Sequence, residues 1–364
     1  AKAITLSGAD PDAAAILDGS GMAVRDRCVY VQSGVRAVLE NLTLTGGQSK
    51  WGGPNTGGYG GGARLEDGIL RGCVVSNNTA LTGGGLYLDG NALVENCVIV
   101  GNRATSGGGG FITWSRGVAM ADTVVSNNVA VEYGGGGVTT SGGRYERCRF
   151  VRNEANTKGG GLYLVDAATF VDGCVFADNV AGDVGGGLYI TWGCVRNSLV
   201  TGNRSGKGGG IYAGEWSSPA CGLTNVTITG NWAAGVGDGL WAGNNVAALN
   251  CIVWGNSGDD LTVTNVSTAI SHSCLGEAYA GTGDNNLFAD PRLTPDYRLA
   301  AGSPCINRGA TSAWMASARD LAGNPRALPE SGAADIGAYE FTGPFGLFAS
   351  PGALVFSTYE TYDP

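Results

Sequence analysis

The chain has 364 residues, of which 43% are hydrophobic and only 15% charged, with a net charge of −9 and 65 glycines against 11 prolines. The acidic balance argues against nucleic acid, whose binders cluster Lys and Arg, and no apolar run of about 18 residues exists to span a membrane. Glycine far above its usual ~7%, without a Gly-X-Y period, excludes collagen and implies a repeat in which glycine has a fixed place.

Along the chain, Ala1-Lys2-Ala3-Ile4-Thr5-Leu6 reads as a strand rather than a signal peptide, and both ends of the chain read as cut. Asparagines then recur at 78, 102, 128, 153, 179, 203, 231 and 256, at intervals of 24 to 28 residues. A glycine cluster follows each of them except the last: Gly83 to Gly85, Gly108 to Gly110, Gly135 to Gly137, Gly159 to Gly161, Gly185 to Gly187, Gly208 to Gly210 and Gly237-Asp238-Gly239, with an earlier copy at Gly60 to Gly62. Short apolar strands flank these markers, such as Cys174-Val175-Phe176 before the Asn and Leu162-Tyr163-Leu164 after the glycines.

Strands this short cannot bury a face alone, but stacked in register they share one core. The glycines permit positive φ and close approach at a corner, and the Asn tolerates the left-handed region while its amide can bond to the next coil. The pattern lacks the Leu spacing of leucine-rich repeats and any 3.6-residue stripe, and its glycines would break helices. The fold expected is an all-β, right-handed parallel β-helix of roughly 10–12 coils over residues 1–256. Asn78, Asn102, Asn128, Asn153, Asn179, Asn203, Asn231 and Asn256 form its structural ladder.

Alternation along the strand after the glycines directs one residue per coil outward. The column so derived is Arg64, Tyr87, Ile112, Thr139, Tyr163, Tyr189, Tyr212 and Trp241, with Trp114, Trp192, Trp216 and Arg116 just beyond. Flat rings flanked by polar groups suit sugar faces, so Tyr163, Tyr189, Tyr212, Trp241, Trp114, Trp192, Trp216 and Arg116 are candidate ligand-binding residues. The alternative is an aromatic ladder that only stiffens the sheet. Asp166 and Glu215 are the candidate carboxylate pair for a glycoside hydrolase, about 10 Å apart if they share a column. His272 stands between two serines without a nucleophile elbow and reads as a surface or capping residue. No phosphate loop or metal motif occurs, so no cofactor is expected, and Ca²⁺ has no motif in its favour.

Cys73, Cys97, Cys148, Cys174 and Cys251 share one inward position and read as stacked free thiols. Cys194 with Cys221, and Cys274 with Cys305, are the better disulfide candidates.

After Asn256 the period fades. The stretch 257–341 reads as terminal coils and a capping segment over the last coil, whose strand edges would otherwise lie open. The stretch 342–364 reads as a tail or the start of a further module, with Leu354 to Tyr359 either its first strand or a strand that pairs with a neighbouring molecule.

The repeats resemble those of chlamydial polymorphic membrane proteins. Phe150-Val151-Arg152-Asn153 and Phe176-Ala177-Asp178-Asn179 match their FxxN half, and Gly61-Gly62-Ala63 and the Gly-Gly-Gly-Leu blocks match or nearly match their GGA(I/L/V) half, over about residues 40–256. Ser303-Pro304-Cys305-Ile306-Asn307-Arg308-Gly309 and Asp335-Ile336-Gly337-Ala338-Tyr339-Glu340 resemble the choice-of-anchor end segment of bacterial surface β-helices. The resemblance implies an exported, extracellular or cell-surface protein, adhesin-like or structural, with a polysaccharide or cell-surface glycan as partner. A polysaccharide lyase or glycoside hydrolase is the first alternative, and a subunit that self-associates end to end into a filament is the second.

Overall fold

A computed structural model describes residues 4–8, 15–20, 26–50, 57–215, 221–326, 333–343, 349–350 and 353–354. Each coil of the solenoid has four sides. In one coil these are Thr169–Asp172 (side 1), Val175–Ala177 (side 2), Val180–Ala181 (side 3) and Leu188–Ile190 (side 4). Parallel stacking of successive coils builds sheets of 11, 11, 8 and 10 strands on sides 1 to 4. The all-β parallel solenoid read from the repeat is the observed fold, but sides 1 and 3 had no signature of their own.

The corners explain the sequence markers. Between sides 2 and 3 the left-handed residue is the one before the ladder Asn: Asn77, Asn127, Arg152 and Asp178 have φ of 53°, 53°, 54° and 55°. This corrects the expectation that the ladder Asn itself adopts that conformation. With its neighbour making the turn, the ladder Asn points its amide inward and stays buried.

The amide bonds are repetitive and complete. The Nδ2 of Asn153 donates to Asn179 Oδ1 at 3.0 Å and to the Val125 carbonyl at 2.8 Å, while its own Oδ1 accepts from the backbone N–H and Nδ2 of Asn128. The same pattern runs from Asn78 to Asn256, where the Nδ2 of Asn256 donates to Asp260 at 2.7 Å. The glycine triplet has divided duties. Gly159 has φ of 64°, whereas a Cβ on Gly160 or Gly161 would collide with carbonyl oxygens of the next coil. Side 3 faces this crowded turn, and its inward residue is always small, as at Ala104, Ala130, Ala155, Ala181 and Ser205.

Inside, like residues stack on like: the Phe150 and Phe176 rings lie 4.8 Å apart and nearly parallel at 6°. Residues 276–287 close the lower end as a partial coil. Leu261 N–H donates to Glu277 at 2.7 Å, and the Tyr279 hydroxyl lies 3.0 Å from the carbonyl oxygens of both Thr268 and Thr282. The described residues that follow, 288–326 and 333–343, do not lie over the last coil. They fold back along the corner between sides 1 and 2 as a strap, where Asn250 exchanges bonds with Ala310 at 2.8 Å and Ala338 N–H donates to Thr227 at 2.9 Å. The open side of a capping segment is thus spent on the flank of the solenoid. Of the tail, Ala349–Ser350 pairs antiparallel with Ala353–Leu354, and the expected strand beyond Leu354 lies outside the described residues.

Candidate functional site

Side 4 carries the aromatic column. Strand register aligns Tyr30, Arg64, Tyr87, Ile112, Val138, Tyr163, Tyr189, Tyr212 and Trp241. Val138 replaces the expected Thr139. A fourth glycine, Gly137, occupies the inward strand position in that coil, so Thr139 faces the core and is fully buried.

The rings use one another as partners. Tyr163 meets Tyr189 edge-on at 4.7 Å, Tyr189 stacks on Tyr212 at 5.4 Å, and Tyr212 stacks on Trp241 at 4.0 Å with planes 1° apart. Tyr189 is consequently 0% exposed and Tyr212 is 9% exposed, which corrects the expectation of an open strip of rings. Successive coils are separated by about 4.8 Å, close to the thickness of stacked rings, so each ring hides the faces of the next. What stays accessible is Tyr30, 37% exposed, and Trp114, 44% exposed and stacked on Tyr87 at 6.5 Å, together with half-buried rings that include Tyr163, Trp192 and Trp241. Trp216 lies outside the described residues.

The candidate carboxylates do not converge. Asp166 sits 3.5 Å from the exposed Arg116, and its other oxygen accepts the Ala168 N–H at 2.7 Å. Glu215 sits 3.3 Å from Lys158, whose ammonium also lies 3.2 Å from the Tyr189 hydroxyl. Each acid has its own cation and occupies a turn two coils from the other. His272 turns the corner between sides 1 and 2 with φ of 48°, and its Nε2 lies 3.2 Å from the Asn285 amide.

A second concavity was not foreseen. Between side 1 and the strap runs a groove of about 480 Å³ that includes Arg144, Glu146, Asp172, Arg196, Trp314 and Arg319 in its lining. The Arg196 guanidinium lies 4.2 Å from the Phe170 ring centre and 4.2 Å from that of Trp314. Beneath it, Asn197 donates to Asp172 at 2.7 Å and accepts from Arg326 at 2.9 Å. Arg326 in turn bonds Glu340 at 2.7 Å, an ion pair with side chains 0% and 4% exposed. Burial pushes the Glu340 carboxyl up to about 7, against the pull of Arg326. The only sequence signal for this site is the alternation Arg144, Glu146, Asp172 and Arg196 on outward positions of side 1; the strap comes from more than 100 residues away.

All ten cysteines are free. Cys194 and Cys221 cannot pair as expected, because Cys194 is in register with Gly222 and faces outward while Cys221 faces the core. Cys274 and Cys305 are both fully buried and pack in the same small apolar cluster with Ile252, Leu299 and Ile336.

The family model described as "Right handed beta helix region" matches residues 20–205, half of the chain. No curated protein and no solved structure matches. Among the described residues no helix is long and apolar enough to cross a membrane.

Proposed function

From the premise that this chain belongs to the right-handed β-helix family, we propose that it is an exported, extracellular or cell-surface solenoid that acts as an adhesin-like or structural protein and holds glycans on the rim of its aromatic face. The observation that carries this reading is Trp114, an indole 44% exposed and stacked on Tyr87, with Arg116 in the same turn and its partner Asp166 two coils on. A fixed flat ring beside charged hydrogen-bonding groups suits a sugar: the ring takes the C–H face and the polar groups take hydroxyls. The buried members of the column, Tyr189 and Tyr212, serve the stack rather than the ligand. The likeness of the repeats to surface adhesins supports the same reading.

Catalysis by Asp166 and Glu215 is the weaker reading. A glycosidase needs two carboxyls facing each other across the scissile bond, whereas these two sit in separate turns, each against its own cation, Arg116 and Lys158. Against the filament reading, residues 276–287 bridge the C-terminal strand edges of sides 1 and 2 at Ala269 and Cys274.

A glycan array with the wild type and the Trp114→Ala/Arg116→Ala double variant tests the proposal. Selective binding that drops several-fold in the variant supports it. Binding unchanged in the variant, or none in the wild type, rejects it.

A further inference from the structure

We propose that the groove between side 1 and the strap binds an anionic saccharide, whose carboxylate or sulfate oxygens sit on Arg196 and Arg319 and whose ring lies beside Trp314. The inference concerns a different face from the aromatic column and does not depend on it.

The argument is an inventory of donors and acceptors. Each carboxylate of the groove already has a cationic or N–H partner. Glu146 accepts from Arg144 at 2.6 Å and faces Arg147 at 3.7 Å. Asp172 accepts from Arg196 Nε at 3.0 Å and from Asn197 at 2.7 Å. Asp320 is consumed inside the strap by Asn324, Ala322 and the Glu340 N–H.

Donors remain unused on Arg196 and Arg319, whereas Arg144 is spent on Glu146 and Arg147 on Asp122. A guanidinium carries five N–H groups and accepts nothing. Among the described residues, Arg196 uses only its Nε on a hydrogen bond, and Arg319 has a single bond, from Nη1 to the Gly323 carbonyl at 3.2 Å, and no carboxylate partner. The groove therefore offers N–H donors and asks for acceptor oxygens. A planar carboxylate, or two of the oxygens of a tetrahedral sulfate, matches the guanidinium fork.

Arg196 is also pre-positioned. Held between Phe170 and Trp314, it loses little conformational freedom when a ligand arrives. The groove volume of about 480 Å³ far exceeds one inorganic ion and is in the range of small-molecule pockets. With an indole in its wall, the site fits a charged sugar better than a bare anion.

The test is calorimetric titration of the full chain with four probes: polygalacturonate for carboxylate, dextran sulfate for sulfate, neutral dextran, and poly-glutamate as an acidic peptide. At least one acidic glycan is expected to bind, more weakly as salt rises, and dextran is not. Comparison of the first two identifies the anionic group. Arg319→Ala removes an exposed side chain that holds one carbonyl, so the fold survives, and affinity should fall about tenfold. Trp314→Leu should weaken the glycan selectively, and Trp114→Ala on the other face should change nothing. The proposal is overturned by no binding of either acidic glycan, by undiminished binding in Arg319→Ala, by dextran binding as tightly, or by poly-glutamate binding as tightly with no effect of Trp314→Leu.

Discussion

The backbone N–H of Cys174 donates to the hydroxyl of Ser198 at 3.1 Å, at the corner where the N–H of Cys148 donates to the thiol of Cys174 at 3.4 Å. Thr123 and Ser273 occupy equivalent positions, accepting from Cys97 at 3.3 Å and Cys251 at 3.0 Å. The inward cysteines are therefore polar rungs as well as small apolar fillers. Cys174→Ser keeps an acceptor and should change stability by less than about 1 kcal/mol, whereas Cys174→Ala orphans the buried Cys148 N–H and should cost about 1–3 kcal/mol. Urea unfolding of the two variants decides: equal losses would mean that the thiol only fills space.

The amide ladder has no such substitute. Asn153→Ala removes two donated bonds and leaves two buried N–H groups of Asn128 without an acceptor. A loss of about 3–5 kcal/mol is expected. Asn153→Asp is the sharper experiment, because it preserves shape and the acceptor but sets a carboxylate oxygen against Asn179 Oδ1. It should be at least as damaging as the alanine, and a mild effect would show that ladder donors contribute little.

The column yields a contrast between stacking and exposure. Tyr189→Ala opens a gap between Tyr163 and Tyr212 and removes a fully buried ring, so about 3–5 kcal/mol of stability should be lost. Trp114→Ala, at a half-exposed ring on the rim, should cost about 1 kcal/mol. Similar thermal shifts for the two would mean that the stack is not the structural part of the column.

How far the sequence foretells this depends on distance along the chain. The coil period, the Asn ladder and the glycine corners are legible because each recurs about every 25 residues with the same duty. Side 3 is not, since a pair such as Val180–Ala181 is too short to show alternation. The Thr139 slip arises from one extra glycine, which shifts the strand pattern without changing its appearance. Burial of Tyr189 follows from rings in the coils above and below rather than from its own segment. The groove is the extreme case: Arg196 and Trp314 meet only because the strap returns along the flank.

Cys274 of the last strand of side 2 and Cys305 of the strap meet in one fully buried apolar cluster. A disulfide oxidant such as oxidised glutathione should link them in preference to Cys73 and Cys97, whose in-register, parallel Cβ vectors fit a bridge poorly. Closing a loop of 31 residues is worth about 3–4 kcal/mol in the chain-entropy model. Peptide mapping without reductant identifies the pair, and melting with and without reductant measures the effect. A cross-link at Cys73–Cys97 instead, or none, would refute this.

The latch of the strap should respond to pH through Glu340. Its carboxyl is buried beside Arg326, with Asp335 and Asp320 near it, and its folded-state pKa is about 7 against an ordinary 4.5. A carboxyl whose folded pKa is raised holds its proton longer in the native state than in the unfolded chain. Its contribution is therefore fully present below about pH 4.5 and is lost as pH rises through about 7, for a total of about 3 kcal/mol. Burial raises the Asp335 carboxyl as well, so the two act in the same direction. Wild-type unfolding followed from pH 4.5 to 8 should thus show stability falling across this window, apart from the solenoid's other carboxylates. Glu340→Gln keeps an acceptor for Arg326 and for the Asp335 N–H but cannot titrate, so its profile should be flatter by that amount. Parallel profiles for the two proteins would mean that Glu340 is ionised throughout and that the Arg326 pair outweighs its burial.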